Sequence, residues 1–329
     1  MFRFFYWIDC VTLADVGVLR DGGPMDVTNT TVVRVGALAL LWGSVFLWIE
    51  LALEGLTPIQ ITFARCVLGG LVLLGLSRVQ GQRLPRDRAV WGHLVVAAFL
   101  CHVLPFALFA LGQRSVDSGV AGVLNATTPL WTYAIALTLG SDAVNGIRAG
   151  GLVTGFAGTV LIFAPWQAGT PGWGALAIVT AAVSYAVAFT YMGRFLTGRG
   201  VAPTALSATQ LLVAAALTAV ALPVDGMPSH VSLTAVTAVV ILGVFGTGVT
   251  LALFYRLVAD EGATRAAAVT YLLPVVAVAL GWLVLDERLT ARIITGMAIV
   301  LVGVGLTRRQ EPSSRPQRTA VQASGSESQ

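Results

Sequence analysis

Along most of the chain, apolar residues run in stretches of about twenty, a helix's length across lipid, and polar residues collect in short breaks between them. The stretches fall near 35–54, 57–76, 89–110, 118–138, 146–165, 173–192, 203–222, 234–255, 264–284 and 291–307. A helix rises about 1.5 Å per residue, so about twenty residues cross a hydrocarbon core about 30 Å thick. The breaks carry turn formers and charges: Gly55 and Pro58, Arg78 to Arg88, Arg114 to Asp117, Ser141 to Asn145, and Pro165 to Pro171. Later breaks are Arg194 to Gly200, Pro223 to Ser232, Arg256 to Gly262 and Asp286 to Thr290. Short breaks between long helices make chain neighbours antiparallel. The expectation is an all-α membrane protein with ten transmembrane helices.

Composition agrees. Of 329 residues 56% are hydrophobic and only 11% charged, whereas soluble domains average about 25% charged. There is too little polar surface to cover a water-soluble fold of this size.

The net charge of +4 comes entirely from Arg, with no Lys. Most arginines sit in the breaks, a pattern of membrane orientation rather than of nucleic-acid binding. With ten spans both termini share a side. That side holds 14: Arg34, Arg78, Arg83, Arg86, Arg88, Arg148, Arg194, Arg199, Arg256, Arg265, Arg308, Arg309, Arg315 and Arg318. The other side holds three, Arg114, Arg288 and Arg292. Both ends are therefore expected in the cytoplasm, in a multi-pass protein of the cytoplasmic (inner) membrane.

Residues 1–33 read as an N-terminal cytoplasmic arm, and 308–329, rich in Ser, Gln, Pro and Arg, as a disordered cytoplasmic tail. Asp9, Asp15 and Asp21 interrupt any signal-peptide core, and translation starting at Met25 is one expectation for this region. Cys10, Cys66 and Cys101 are too far apart for a disulfide framework or a metal-ligand spacing, so neither metal nor cofactor is expected.

Shifting the chain by 145 positions lays spans four and five over nine and ten without a gap, while the earlier spans need a gap of two or three residues. Pro129 meets Pro274, Ala134 meets Ala279, Asp142 meets Glu287, Gly151 meets Gly296 and Gly158 meets Gly303. A five-helix repeat re-enters the membrane from the opposite face, the arrangement of many secondary transporters. The expected units are 34–165 and 172–307.

Several motifs resemble the EamA family of the drug/metabolite transporter superfamily: Leu41-Trp42-Gly43-Ser44, Ala64-Arg65, and Thr128-Pro129-Leu130. The second half is similar at Leu242-Gly243-Val244-Phe245-Gly246-Thr247-Gly248, Tyr271-Leu272-Leu273-Pro274-Val275-Val276 and Asp286-Glu287-Arg288-Leu289. The resemblance implies two inverted five-helix repeats, a central substrate cavity and movement of metabolites or drugs, often outward. The chain departs from the family pattern at Gly140-Ser141-Asp142, where a Gly-Glu-Arg turn is usual, and at the acidic Glu50.

Charges within the hydrocarbon are costly and become functional candidates by default. Glu50 and Arg65 qualify, and antiparallel neighbours would bring them to similar depth. Mutual neutralisation is the plainer expectation; alternatively Glu50 binds and releases a proton, or snorkels to the interface. His102 titrates in a useful range but also suits a helix–helix hydrogen bond. Pro129 and Pro274 each withdraw a helix hydrogen bond and are expected helix kinks whose freed carbonyls need another partner or a wet cavity. Asn125, Thr128, Thr270 and Tyr271 stand beside them, and Trp42, Trp48, Ser184 and Tyr185 would complete a cavity wall. Gly151, Gly155 and Gly158 with Gly296 and Gly303 have the spacing of close helix contacts, within the bundle or across a dimer seam.

His93, His102 and His230 are dispersed, with no catalytic cluster around them, and no phosphate-binding Gly-Lys loop is present. An enzyme is not expected. The favoured reading is a secondary transporter, monomeric or homodimeric, moving a small molecule outward by alternating access. An intramembrane enzyme or flippase acting on lipid-linked substrates is the alternative.

Overall fold

The computed structural model describes residues 27–140, 145–163, 172–196, 199–226, 231–261, 266 and 269–307. The sequence positions Asp142 and Arg265, the arm up to residue 26, and the tail from 308 lie outside these residues.

The described chain is helical throughout: α1 Val27–Gly43, α2 Val45–Leu53, α3 Pro58–Val79, α4 Arg88–Ala98, α5 Leu104–Gly112, α6 Ser118–Asn125, α7 Thr128–Thr138 and α8 Gly146–Phe163. The second half contributes α9 Trp173–Phe195, α10 Pro203–Ala219, the short α11 Leu222–Asp225, α12 Leu233–Gly243, α13 Thr250–Glu261, α14 Val269–Leu285 and α15 Ala291–Thr307. Six continuous helical stretches are long and apolar enough to cross a membrane, and four shorter apolar helices accompany them. Residues 27–33, assigned above to the arm, already belong to α1.

The helix starts are written locally. Thr57 accepts from the Gln60 amide while the Gln60 side chain returns to the Thr57 N–H, and Pro58 needs no donor in the first turn. Asp87 caps α4 through the Ala89 N–H at 2.9 Å, and Ser232 caps α12 through Ala235 at 3.0 Å.

Two stretches widen into π-helix, Phe99–Val103 between α4 and α5 and Val244–Val249 between α12 and α13. Pro105 follows the first and removes a donor; the hydroxyl of Ser184 serves the loosened Leu100 carbonyl at 2.7 Å. In the second, Thr247 and Thr250 reach back five residues to the carbonyls of Leu242 (3.0 Å) and Phe245 (2.7 Å). With no water in the membrane, hydroxyls take over the bonds the wider turns give up.

Packing pairs α3 with α10, α8 with α15, α6 with α14, α5 with α9, and α2 with α12. Lipid is as apolar as the helix faces, so close van der Waals approach drives these pairings rather than release from water. Glycine makes that approach possible. A Cβ on Gly158 would stand 2.9 Å from the Gly296 carbonyl, and one on Gly151 2.8 Å from that of Gly303. These glycines thus serve contact within the bundle. The main core gathers Phe46, Ile49, Phe109, Leu124, Ile178, Leu242 and Val300. Outside, Leu71, Val95, Val153, Val236, Trp282 and Leu283 are exposed, an apolar surface suited to acyl chains and not to water.

Candidate functional site

Arg65 lies in the first half of α3, seven residues from its start, and is only 5% exposed. Its Nε–H donates to Thr247 Oγ1 at 2.8 Å, and its guanidinium lies 3.7 Å over the ring of Phe106. Thr247 reaches it because Gly69 and Gly243 let α3 close on the second π segment, where a Cβ on Gly69 would touch the Thr247 side chain. His102, from the first π segment, meets the same Phe106 ring edge-on at 5.3 Å. It is 6% exposed, and neither ring nitrogen has a hydrogen-bond partner. Tyr185 of α9 also faces Arg65, and stacks on Phe189 at 5.8 Å. Both π segments thus converge on one buried cation.

The expected neutralisation of Arg65 by Glu50 is not what the structure contains. Glu50 accepts instead from Gln113 Nε2 at 3.3 Å, and that amide also donates to the Phe46 carbonyl at 2.8 Å. The reason is geometric. Glu50 is three residues from the end of α2, whereas Arg65 is seven residues into α3. That mismatch of about four residues amounts to about 6 Å of depth. Arg65 moreover faces the second π segment, and Glu50 the end of α5.

Glu50 lies at an acidic end of the bundle, within electrostatic reach of Glu54, Asp117 and Glu287. Glu287, in the loop after α14, accepts the N–H groups of Ser118 and Gly119 at the start of α6. Crowding by protein, and then the like charge of Glu287, hold the Asp117 carboxyl above its usual range. The Ser118 hydroxyl and Gln113 Oε1 are buried there without partners.

The two prolines, expected to act alike, do not. Pro274 lies inside the continuous α14. Pro129 lies in the first turn of α7, after a break at Ala126–Thr127. The Asn125 carbonyl that Pro129 cannot serve accepts the Thr128 hydroxyl at 2.8 Å. It is satisfied within its own turn and needs no wet cavity.

Among the other expected wall residues, Trp48 donates its indole N–H to Ser44 Oγ at 3.2 Å, across the break between α1 and α2. Trp42 meets Phe254 edge-on at 5.3 Å. Trp42, Trp48, Tyr185 and Tyr271 all pack, partly buried, on the main core. Thr270 precedes Tyr271 in α14 and is half-buried. The Ser184 hydroxyl is committed to the backbone of the first π segment.

Sequence reasoning missed Thr247, Phe106 and Gln113. Thr247 stood in a motif noted for resemblance, and only its hydroxyl amid glycine and apolar residues marked it.

Comparison with known proteins adds the family. The EamA-like transporter family model matches residues 32–164 and again 172–309. The Uncharacterized inner membrane transporter YedA of Escherichia coli K12 is 26% identical over 276 residues, covering 82% of this chain and 89% of YedA. The Uncharacterized transporter YoaV of Bacillus subtilis is 23% identical, over 82% of this chain and 93% of its own. A WAT1-related chloroplastic protein of Arabidopsis thaliana is 23% identical, over 82% and 67%. One protein crystal structure superposes with a TM-score of 0.61 at 23% identity, over 84% of this chain and 97% of that chain, a likeness of fold. Two consecutive matches over nearly all the apolar chain make this multi-pass membrane protein a member of the EamA-like transporter family.

Proposed function

We propose that the chain is a secondary carrier that exports a small amphipathic molecule across the cytoplasmic membrane by alternating access. In this reading ten spanning helices form two inverted repeats, 34–165 and 172–307, with both termini in the cytoplasm. One observation carries it: the π segments begin at Phe99 and Val244, 145 positions apart, the same offset that aligns Pro129 with Pro274. The pairings support it too, since α3 with α10, α6 with α14, and α8 with α15 each join equivalent members of the two halves. Repeats of opposite orientation exchange conformations and open a shared site to one side and then the other.

Trp42, Trp48, Asn125, Thr128, Ser184, Tyr185, Thr270 and Tyr271 form its wall in this reading, with Pro129 and Pro274 articulating their helices. Efflux from proteoliposomes loaded with aromatic acids, amino acids and amphipathic amines tests the carrier. Movement of at least one class, saturable with concentration, is expected; equal leakage from protein-free vesicles ends the reading. Reporter fusions at residues 83 and 310 should be cytoplasmic and one at 115 external, and opposite sides for 83 and 310 would end the topology.

A further inference from the structure

Arg65 is a cation in the apolar middle of a membrane protein with no carboxylate paired to it among the described residues. The ionisable groups that face it are Tyr185, Cys66 and His102, none of them an acid that would neutralise it. Its Nε–H goes to Thr247, and the rest of the guanidinium fork makes no hydrogen bond to described protein groups. His102 stands against the same Phe106 ring with both nitrogens unpartnered. Gln210 donates its amide nitrogen to the Met192 sulfur at 3.4 Å, and its oxygen is the one neighbour among the described residues near enough to serve an imidazole N–H, which still leaves the other ring nitrogen open.

Buried charge and buried donors without partners are costly in a bilayer and persist where they have a use. A planar guanidinium fork matches a carboxylate in two parallel bonds, and an imidazole N–H adds a third. The adjoining surfaces are aromatic: Phe106 under the guanidinium, and Tyr185 with Phe109 at 6.1 Å.

We propose that Arg65 and His102 form the subsite for a carboxylate on the transported molecule, with Phe106 and Tyr185 receiving its apolar body. The cargo class is then a small amphipathic organic acid. Thr247, which fixes the guanidinium through Nε, is a positioning residue. The two π segments place it, bringing His102 and Thr247 to the same arginine from opposite halves of the chain.

The inference rests on the carrier reading and is tested separately from it. The purified full chain in detergent is titrated calorimetrically with 3-phenylpropionate and indole-3-acetate, and with 3-phenylpropylamine and tryptamine as charge-reversed counterparts. The acids are expected to bind and the amines not. Arg65→Gln should abolish acid binding, and His102→Gln should weaken it about tenfold, the loss of one charge-assisted bond. Should Arg65→Gln not fold, Arg65→Lys keeps the charge without the fork and should still weaken binding. Amines binding as well as acids, or acid affinity unchanged in the folded variants, overturns the subsite. Arginine-dependent acid binding without flux in proteoliposomes ends the carrier reading and leaves the subsite. Flux of amines with no acid bound ends the subsite and leaves the carrier.

Discussion

Glu287 holds the start of the helix at Ser118. Its two carboxylate oxygens accept the N–H groups of Ser118 at 2.7 Å and Gly119 at 2.9 Å, joining positions 169 and 168 residues apart. A helix N-terminus carries unsatisfied donors and partial positive charge, so a carboxylate from another segment both caps it and ties two helices together. Glu287→Ala should cost about 1–3 kcal/mol, the penalty for orphaning buried donors, read as a lower melting temperature in detergent. Glu287→Gln should cost less, since an amide oxygen still accepts one bond. Gly281→Ala should mimic the loss, because its Cβ would stand 2.6 Å from the Glu287 carboxyl carbon.

Asp117 sits beside that cap with its carboxyl raised by crowding and by Glu287. A group that holds its proton more tightly folded than unfolded stabilises most below its unfolded value. That contribution is lost as pH rises through the folded value. Asp117→Asn should therefore raise stability at neutral pH and flatten the slope of melting temperature just above the ordinary carboxylate range. Melting curves across acid to neutral pH check it, and an unchanged slope would remove Asp117 as the cause.

At the crossing of α8 and α15, Gly303 has no room for a side chain. A Cβ on Gly303 would lie 2.7 Å from the Gly151 carbonyl and nearer still to the backbone of Gly155. Gly303→Ala should destabilise by about 1–3 kcal/mol, as overpacking does, and Gly303→Val by more. Gly305 of the same helix meets nothing within 4 Å, so Gly305→Ala should melt as the wild type does. Comparing the two by thermal unfolding separates close approach from loss of glycine itself.

Glu50 has Gln113 as its hydrogen-bond partner, and the charged groups facing it, Glu54, Asp117 and Glu287, are all acidic. If the carrier is proton-coupled, Glu50 is the residue placed to exchange the proton. Glu50→Gln should keep the Gln113 contact and remove the pH dependence of flux in proteoliposomes. Retention of the wild-type pH profile would assign coupling elsewhere.

Much of the architecture was legible along the chain because membrane insertion is a local matter. About twenty apolar residues without charge enter lipid whatever their neighbours do, and the caps at Thr57, Asp87 and Ser232 lie within three residues of what they bind. The candidate site was legible only as a set of residue types. Arg65 and His102 stood out as polar groups in apolar runs, but sequence neighbourhood pointed Arg65 toward Glu50, and the structure turns it to Thr247, 182 residues away. Pro129 and Pro274 looked equivalent, yet one lies in the first turn of a helix and the other inside a continuous one. The difference lies in the break at Ala126–Thr127.

Hydropathy alone thus marked the apolar helices of a membrane protein, and the motifs alone pointed to the family. Tertiary structure decided what each buried polar group faces: Arg65 on Thr247 and Phe106, Glu50 on Gln113, Glu287 on the start of α6. The physical reason is that entering a bilayer depends on the sum of a helix's side chains, which any order of residues can supply. Partnership depends on the rotation and depth at which two helices meet, and glycine contacts between segments far apart in the chain set those.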